Sequence, residues 1–191
     1  MEFVGDLSGI TTRNKPNATY QSMIDGEMVY EYAIHRYNKK KTKASFRCAG
    51  CRSAIDDGRN PEFKIYYLKG AVDYESKIVR FDENPDMHPH CCERRHPFFV
   101  KGKQLRREVR NEIKGSGVTG SECIKNFNKK VKEKEEDGDH DGVMSRIGTT
   151  EALRKTLKKA AKPNFVQHCA PTDIDPELKN HLFPMDLTLS A

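Results

Sequence analysis

Cys48 and Cys51, with a later His88-Pro-His90, constrain this chain more than any other feature of its sequence. Soft thiolates and imidazoles in a closed set of four are the donors that Zn²⁺ prefers at a structural site. A C-x2-C pair sits on a tight turn that aims both sulfurs at one point. An H-x-H pair on an extended segment puts both rings on one face, because strand side chains alternate. Pro89 favours the extended form, since the residue before a proline is pushed out of the helical region. The expected site is one structural zinc ion held by Cys48, Cys51, His88 and His90. Its second half stays open. Cys91 follows His90 directly and could replace a histidine, Cys92 shares its face if the strand continues, and His96 is close behind. Cys91 and Cys92 otherwise read as buried small apolar groups or idle thiols.

Composition limits what can surround that site. Only 36% of the 191 residues are hydrophobic, tryptophan is absent, and the mean hydropathy is −0.82. That is poor material for one large core, and fits a small metal-stabilised domain with less ordered flanks. Six cysteines, two of them adjacent at Cys91-Cys92, do not resemble a secreted disulfide framework. The opening residues have neither a basic nor an apolar leader segment, and no apolar run approaches membrane-spanning length. The expectation is a reducing intracellular compartment and no membrane partner.

The patterning predicts an α+β chain: a small zinc-stapled antiparallel sheet of four to five strands followed by basic amphipathic helices. Residues 1–19, polar and without periodicity, read as a disordered lead-in. Residues 20–93 read as the zinc domain. Its strands are expected over Met28–His35, Ala44–Cys48, Ser53–Asp56, Phe63–Leu68 and Ile78–Phe81. Residues 94–163 read as a basic helical region. Leu105, Val109 and Ile113 form one stripe of a first helix, ended by Gly115-Ser116-Gly117. Thr119 and Glu122 match a capping box that starts a second helix, and a third spans about Thr150 to Lys162. An acidic linker occupies 132–142, and 164–191 is an acidic tail with a short helix from Asp175-Pro176-Glu177 through Leu182.

Charge is uneven. The total is +6, but 94–163 alone carries a net +9 and the densest basic cluster is His35 to Lys43, just ahead of the cysteines. A surface like that attracts polyanions. Arg36, Lys39, Lys40, Lys41, Lys43, Arg47 and Arg52 are the candidate contacts to double-stranded DNA. Arginine can pair bidentately with guanine, whereas the lysines would hold phosphates. The amphipathic helices offer a second possibility, a protein partner buried against their apolar stripes.

Catalysis finds no support in the sequence: no H-E-x-x-H, deaminase signature, P-loop or nucleophile elbow occurs. Asp137-Gly-Asp139-His-Asp141-Gly142 begins like a calcium loop, but its twelfth position is Gly148 rather than a bidentate glutamate.

Residues 26–90 resemble the FLYWCH-type zinc finger. The matching features are an apolar-aromatic strand after Gly26, then His35-Arg36-Tyr37 and a lysine-rich loop. Phe46-Arg47-Cys48, Cys51-Arg52-Ser53-Ala54 and the final H-x-H follow in order. Phe46 stands where that family has tryptophan, and the spacer before His88 is long. The resemblance, which extends to the wider WRKY-like group of zinc β-domains, implies a four-stranded zinc fold. It also implies binding to DNA or to partner proteins in a nuclear regulator or transposon-derived protein, and the leading expectation is sequence-specific DNA binding.

Overall fold

The computed structural model describes residues 2–134 and 139–163. Six strands come first: β1 (Phe3–Ile10), β2 (Pro16–Gln21), β3 (Val29–Tyr37), β4 (Lys43–Cys48), β5 (Tyr67–Asp73) and β6 (Ile78–Phe81). Each pairs antiparallel with the next, and β1 also pairs with β6. The sheet is therefore a closed six-stranded barrel, not an open sheet of four or five strands. Helix α1 (Ala49–Asp56) is inserted between β4 and β5. Helices α2 (Pro97–Glu112), α3 (Gly120–Glu133), α4 (Asp139–Ile147) and α5 (Thr150–Ala161) follow the barrel. The α+β class is as expected.

The extra strands come from the N-terminal segment, which is not a disordered lead-in. Gly5 and Leu7 of β1 face inward, but a bulge between Asp6 and Gly9 turns Gly9 toward Asn17 and Gln104 beneath α2, so the strand leaves no apolar period to read. Gly5 is small because its neighbours fill the barrel. A Cβ on Gly5 would stand 3.0 Å from Val79 Cγ1 and 3.1 Å from Phe81 Cε2. Phe81 is the hub of that interior, with ring centroids 6.0 Å from Tyr20, 5.4 Å from Tyr32 and 5.3 Å from Phe46. Closure also removes the exposed strand edges that an open sheet would carry.

Two further expectations give way. Ser53–Asp56, expected as a strand, belongs to α1, whose inward side is Gly50, Cys51 and Ala54. The strand expected from Phe63 begins only at Tyr67. The capping box does form: Glu122 N donates to Thr119 Oγ1 at 3.3 Å, and Thr119 N donates to Glu122 Oε2 at 2.8 Å. The region expected as an acidic linker is helical at both ends among the described residues, since α3 runs to Glu133 and α4 begins at Asp139. The C-terminal tail and its short helix lie outside the described residues.

The helices build a second core. Leu105, Val109 and Ile113 of α2 and the turn after it bury against Cys123, Phe127 and Val131 of α3 and Leu153, Leu157 and Ala161 of α5. The stripes that a partner protein was expected to cover thus close on one another. No helix among the described residues is long and apolar enough to cross a membrane.

The other side of α2 is polar and docks on the barrel. Gln104 Oε1 accepts from Ile10 N at 2.8 Å, and Arg107 Nη1 donates to Ile10 O at 3.0 Å. Below them Glu31 of β3, its side chain 1% exposed, meets Arg95 at 3.0 Å, Lys103 at 2.9 Å and Arg107 at 3.0 Å. Burial pushes the Glu31 carboxyl up, but the three cations outweigh it and hold the group below its ordinary value. Asn17 Nδ2 adds a donor at 3.4 Å.

Candidate metal centre

Strand β4 ends at Cys48, whose extended backbone caps α1, and Cys51 lies one turn into that helix. Both side chains are buried at one end of the barrel. On the other side, Asn84 caps a 3-10 turn over Pro85–Met87, after which the backbone is extended again at His88. The segment that follows brings His90 and Cys92 to the two cysteines. One donor atom from each of Cys48, Cys51, His90 and Cys92 lies within 4.8 Å of every other.

The spacing fits one ion. Cys92 Sγ is 3.4 Å from Cys48 Sγ and 3.5 Å from Cys51 Sγ, and His90 Nδ1 is 3.4 Å from Cys51 Sγ. Around a tetrahedral zinc, sulfurs would stand about 3.8 Å apart and a sulfur–nitrogen pair about 3.6 Å apart. The sulfurs are far beyond the roughly 2.05 Å of a disulfide. Hydrogen bonds from Cys48 and Cys92 pull the Cys51 thiol down, while the same contacts push the Cys48 thiol up. The group thus holds one thiolate, at Cys51, the form a metal binds.

The surrounding groups hold His90 in the required orientation. Tyr30 stacks on its ring at 4.0 Å and 11°. A metal on Nδ1, which is turned toward the sulfurs, would leave the ring proton on Nε2. That nitrogen faces the Tyr32 hydroxyl at 3.1 Å and the Pro85 carbonyl at 3.3 Å. A metal-bound histidine characteristically donates its second nitrogen to such a group, which fixes ring and tautomer. Burial pushes the Tyr32 phenol well above its ordinary value, so it stays neutral. Phe63 and Tyr66 cover the cluster from outside, and the remaining void measures only about 10 Å³. That is scarcely room for one water. Four protein donors converge, the number that a structural zinc site uses.

His88 is therefore replaced by Cys92 in the group that converges. The rule that residues two apart share a face of an extended segment holds, but it acts on His90 and Cys92. His88 immediately follows the 3-10 turn and faces back across it, with Nε2 2.9 Å from Glu83 Oε2. Cys91 points elsewhere, its Sγ 3.9 Å from the Cys51 carbonyl. His96 caps α2, its Nδ1 accepting from Phe98 N at 3.3 Å. A signal for Cys92 was present in the sequence. His90-Cys-Cys92 repeats the two-residue spacing, and Gly50 lies between the first two cysteines.

Gly50 is needed there for space. A Cβ on it would stand 2.6 Å from Cys92 Sγ, well inside contact. Gly50→Ala should therefore displace Cys92 and weaken metal binding. Competition against a chromophoric chelator is expected to show at least about a tenfold loss, the lower range for groups that support metal ligands. Unchanged affinity would mean that Cys92 is not held against α1.

The expected DNA-contact residues divide. Arg36, Lys39, Lys40, Lys41 and Lys43 are exposed at the β3–β4 hairpin. Asn38 Oδ1 accepts from Lys43 N at 3.2 Å to close that turn, and Lys41 takes a left-handed φ of 55°. Arg47 is half-buried on β4. Arg52 is already engaged, with Nη2 2.5 Å and Nε 3.0 Å from the Asp56 carboxylate. The hairpin and the cysteines, neighbours in sequence, lie at opposite ends of β4, about 17 Å apart at the rise of a strand.

No family model, curated protein or solved structure matches this chain.

Proposed function

We propose that this chain is a zinc-dependent, sequence-specific DNA-binding protein of the nucleus, a transcriptional regulator or a transposon-derived binder. The carrying observation is the β3–β4 hairpin. Arg36, Lys39, Lys40, Lys41 and Lys43 project from a closed barrel, and none forms an ion pair among the described residues. Unneutralised cations on a rigid two-stranded ribbon suit the phosphates and major groove of duplex DNA. Arg36 and Arg47 are the base-reading candidates, because Arg52 is occupied by Asp56. Zinc is favoured over other ions by the three sulfurs and one imidazole. The resemblance of residues 26–90 to the FLYWCH-type finger supports the same partner.

A protein-interaction role is the alternative, and it would need surfaces other than the mutually buried helix stripes. Gel shift against mixed-sequence duplex, with and without chelator, separates the two readings. Binding at about 50 mM salt is expected, where the electrostatic contribution is strong. Replacing Lys39, Lys40 and Lys41 together with alanine should weaken binding on every sequence. The slope of log affinity against log salt should fall by about 2 to 3. A slope equal to wild type would remove the hairpin from the interface.

A further inference from the structure

Helix α2 covers the outer surface of the barrel around β1, β2 and Glu31, whereas the outer surface of β4 and β5 has no such cover among the described residues. Pairing registers show what it carries. One row across β3, β4 and β5 is Ala33, Arg47 and Tyr67; the next is Arg36, Ser45 and Lys69. Tyr67 is 48% exposed. His35, displaced by the irregularity in β3 between Ile34 and Arg36, leans against it with centroids 4.7 Å apart. Ala33 and Ser45 are small, so nothing rises between the aromatic pair and the flanking cations. Arg36, Arg47 and Lys69 have no ion-pair partner among the described residues. The carboxylate on the same side of β5, Asp73, accepts from the backbone of Glu75 and Ser76 at 3.0 and 3.1 Å.

A bare aromatic ring between guanidinium and ammonium groups is the combination that binds single strands, with bases stacked on the ring and phosphates held beside it. Duplex DNA offers no base face to such a ring, since every face is covered by the neighbouring pair. We infer that the outer face of β3, β4 and β5 binds single-stranded DNA, with Tyr67 as the stacking platform, His35 as its support, and Arg47, Lys69 and Arg36 on the phosphates. This inference rests on the nucleic-acid reading above and shares Arg36 and Arg47 with it, but it turns on Tyr67, which the duplex reading does not use, so the two can fail separately.

Fluorescence anisotropy of the zinc-loaded full chain with labelled oligo-dT, oligo-U and a duplex of equal length tests it. Oligo-dT should bind, and Tyr67→Ala should weaken it about tenfold, within the range for one stacked base. Tyr67→Phe should restore it, and duplex affinity should be the same in all three proteins. Loss of oligo-dT binding in the Lys39/Lys40/Lys41 variant with Tyr67→Ala neutral would overturn the platform. So would duplex binding by wild type without oligo-dT binding, which leaves the hairpin reading intact. Tighter binding to oligo-U would overturn the assignment to DNA. Binding to none of the three would sink both readings. Tyr67 is exposed, so its variants should keep the wild-type circular dichroism spectrum.

Discussion

Cys92→Ser is expected to strip the purified chain of its metal, whereas His88→Ala should retain about one equivalent. Elemental analysis after gel filtration reads this directly. The two side chains are only a few residues apart, yet one completes the Cys48, Cys51, His90 group and the other pairs with Glu83. Structural zinc supplies on the order of 10 kcal/mol or more of folding free energy in small domains. Loss of one ligand should therefore do more than lower affinity. The Cys92 variant should melt far below wild type and resemble wild type in excess chelator, and the His88 variant should match the untreated parent. One equivalent retained in Cys92→Ser and lost in His88→Ala would reverse the assignment of the fourth ligand.

Glu31→Gln should cost less than loss of the metal but still heavily, without touching the metal. The substitution keeps the shape but leaves Arg95, Lys103 and Arg107 packed together without their counter-ion. Breaking a buried ion group in this way costs about 3 to 5 kcal/mol. At roughly 2 to 4 °C per kcal/mol for a chain this size, the melting temperature should fall by on the order of 10 °C. Burial, only partly offset by Glu31, already holds Lys103 below its ordinary value. Removing that cation as well, in Glu31→Gln/Lys103→Met, should recover part of the loss. Glu31 itself is held below the ordinary carboxylate value of 4.5. Its contribution is thus complete above that pH and is lost as pH falls through the lowered folded value. Wild type should lose stability with acid more steeply than Glu31→Gln in that window. Parallel acid profiles, or melting temperatures within about 1 °C of each other, would show that the cluster does not bear on stability.

The readable parts of the chain were those whose signal is local. Thr119 and Glu122 sit at capping-box spacing and form the box. Leu105, Val109 and Ile113 recur at helical period and are buried together. Ile78–Phe81 begins and ends as its β-formers indicate. What was hidden depends on partners distant in sequence. Gly5 reveals nothing until Val79 and Phe81 fill the space before it, nor Gly9 until Asn17 and Gln104 do, so β1 could not be found from its own residues. Ser53–Asp56 has strand-like neighbours but follows Cys48 into a helix, because Cys51 must turn back toward Cys92. The cysteine half of the metal group was legible because its spacing is its geometry. The histidine half was not, because the 3-10 turn at Pro85–Met87 decides which alternate residues face the sulfurs.

The short stretch from His90 to His96 serves both halves of the molecule. His90 and Cys92 belong to the metal group, and Arg95 exchanges backbone hydrogen bonds with Val29 at 2.8 and 2.9 Å and reaches Glu31. His96 then starts α2. Anchoring its first residues shortens the loop that docking α2 must close, and anchoring its last does the same for the metal. The two cores are therefore joined through one segment, and an ion held at the end of the barrel would also govern how firmly the distant helices are held.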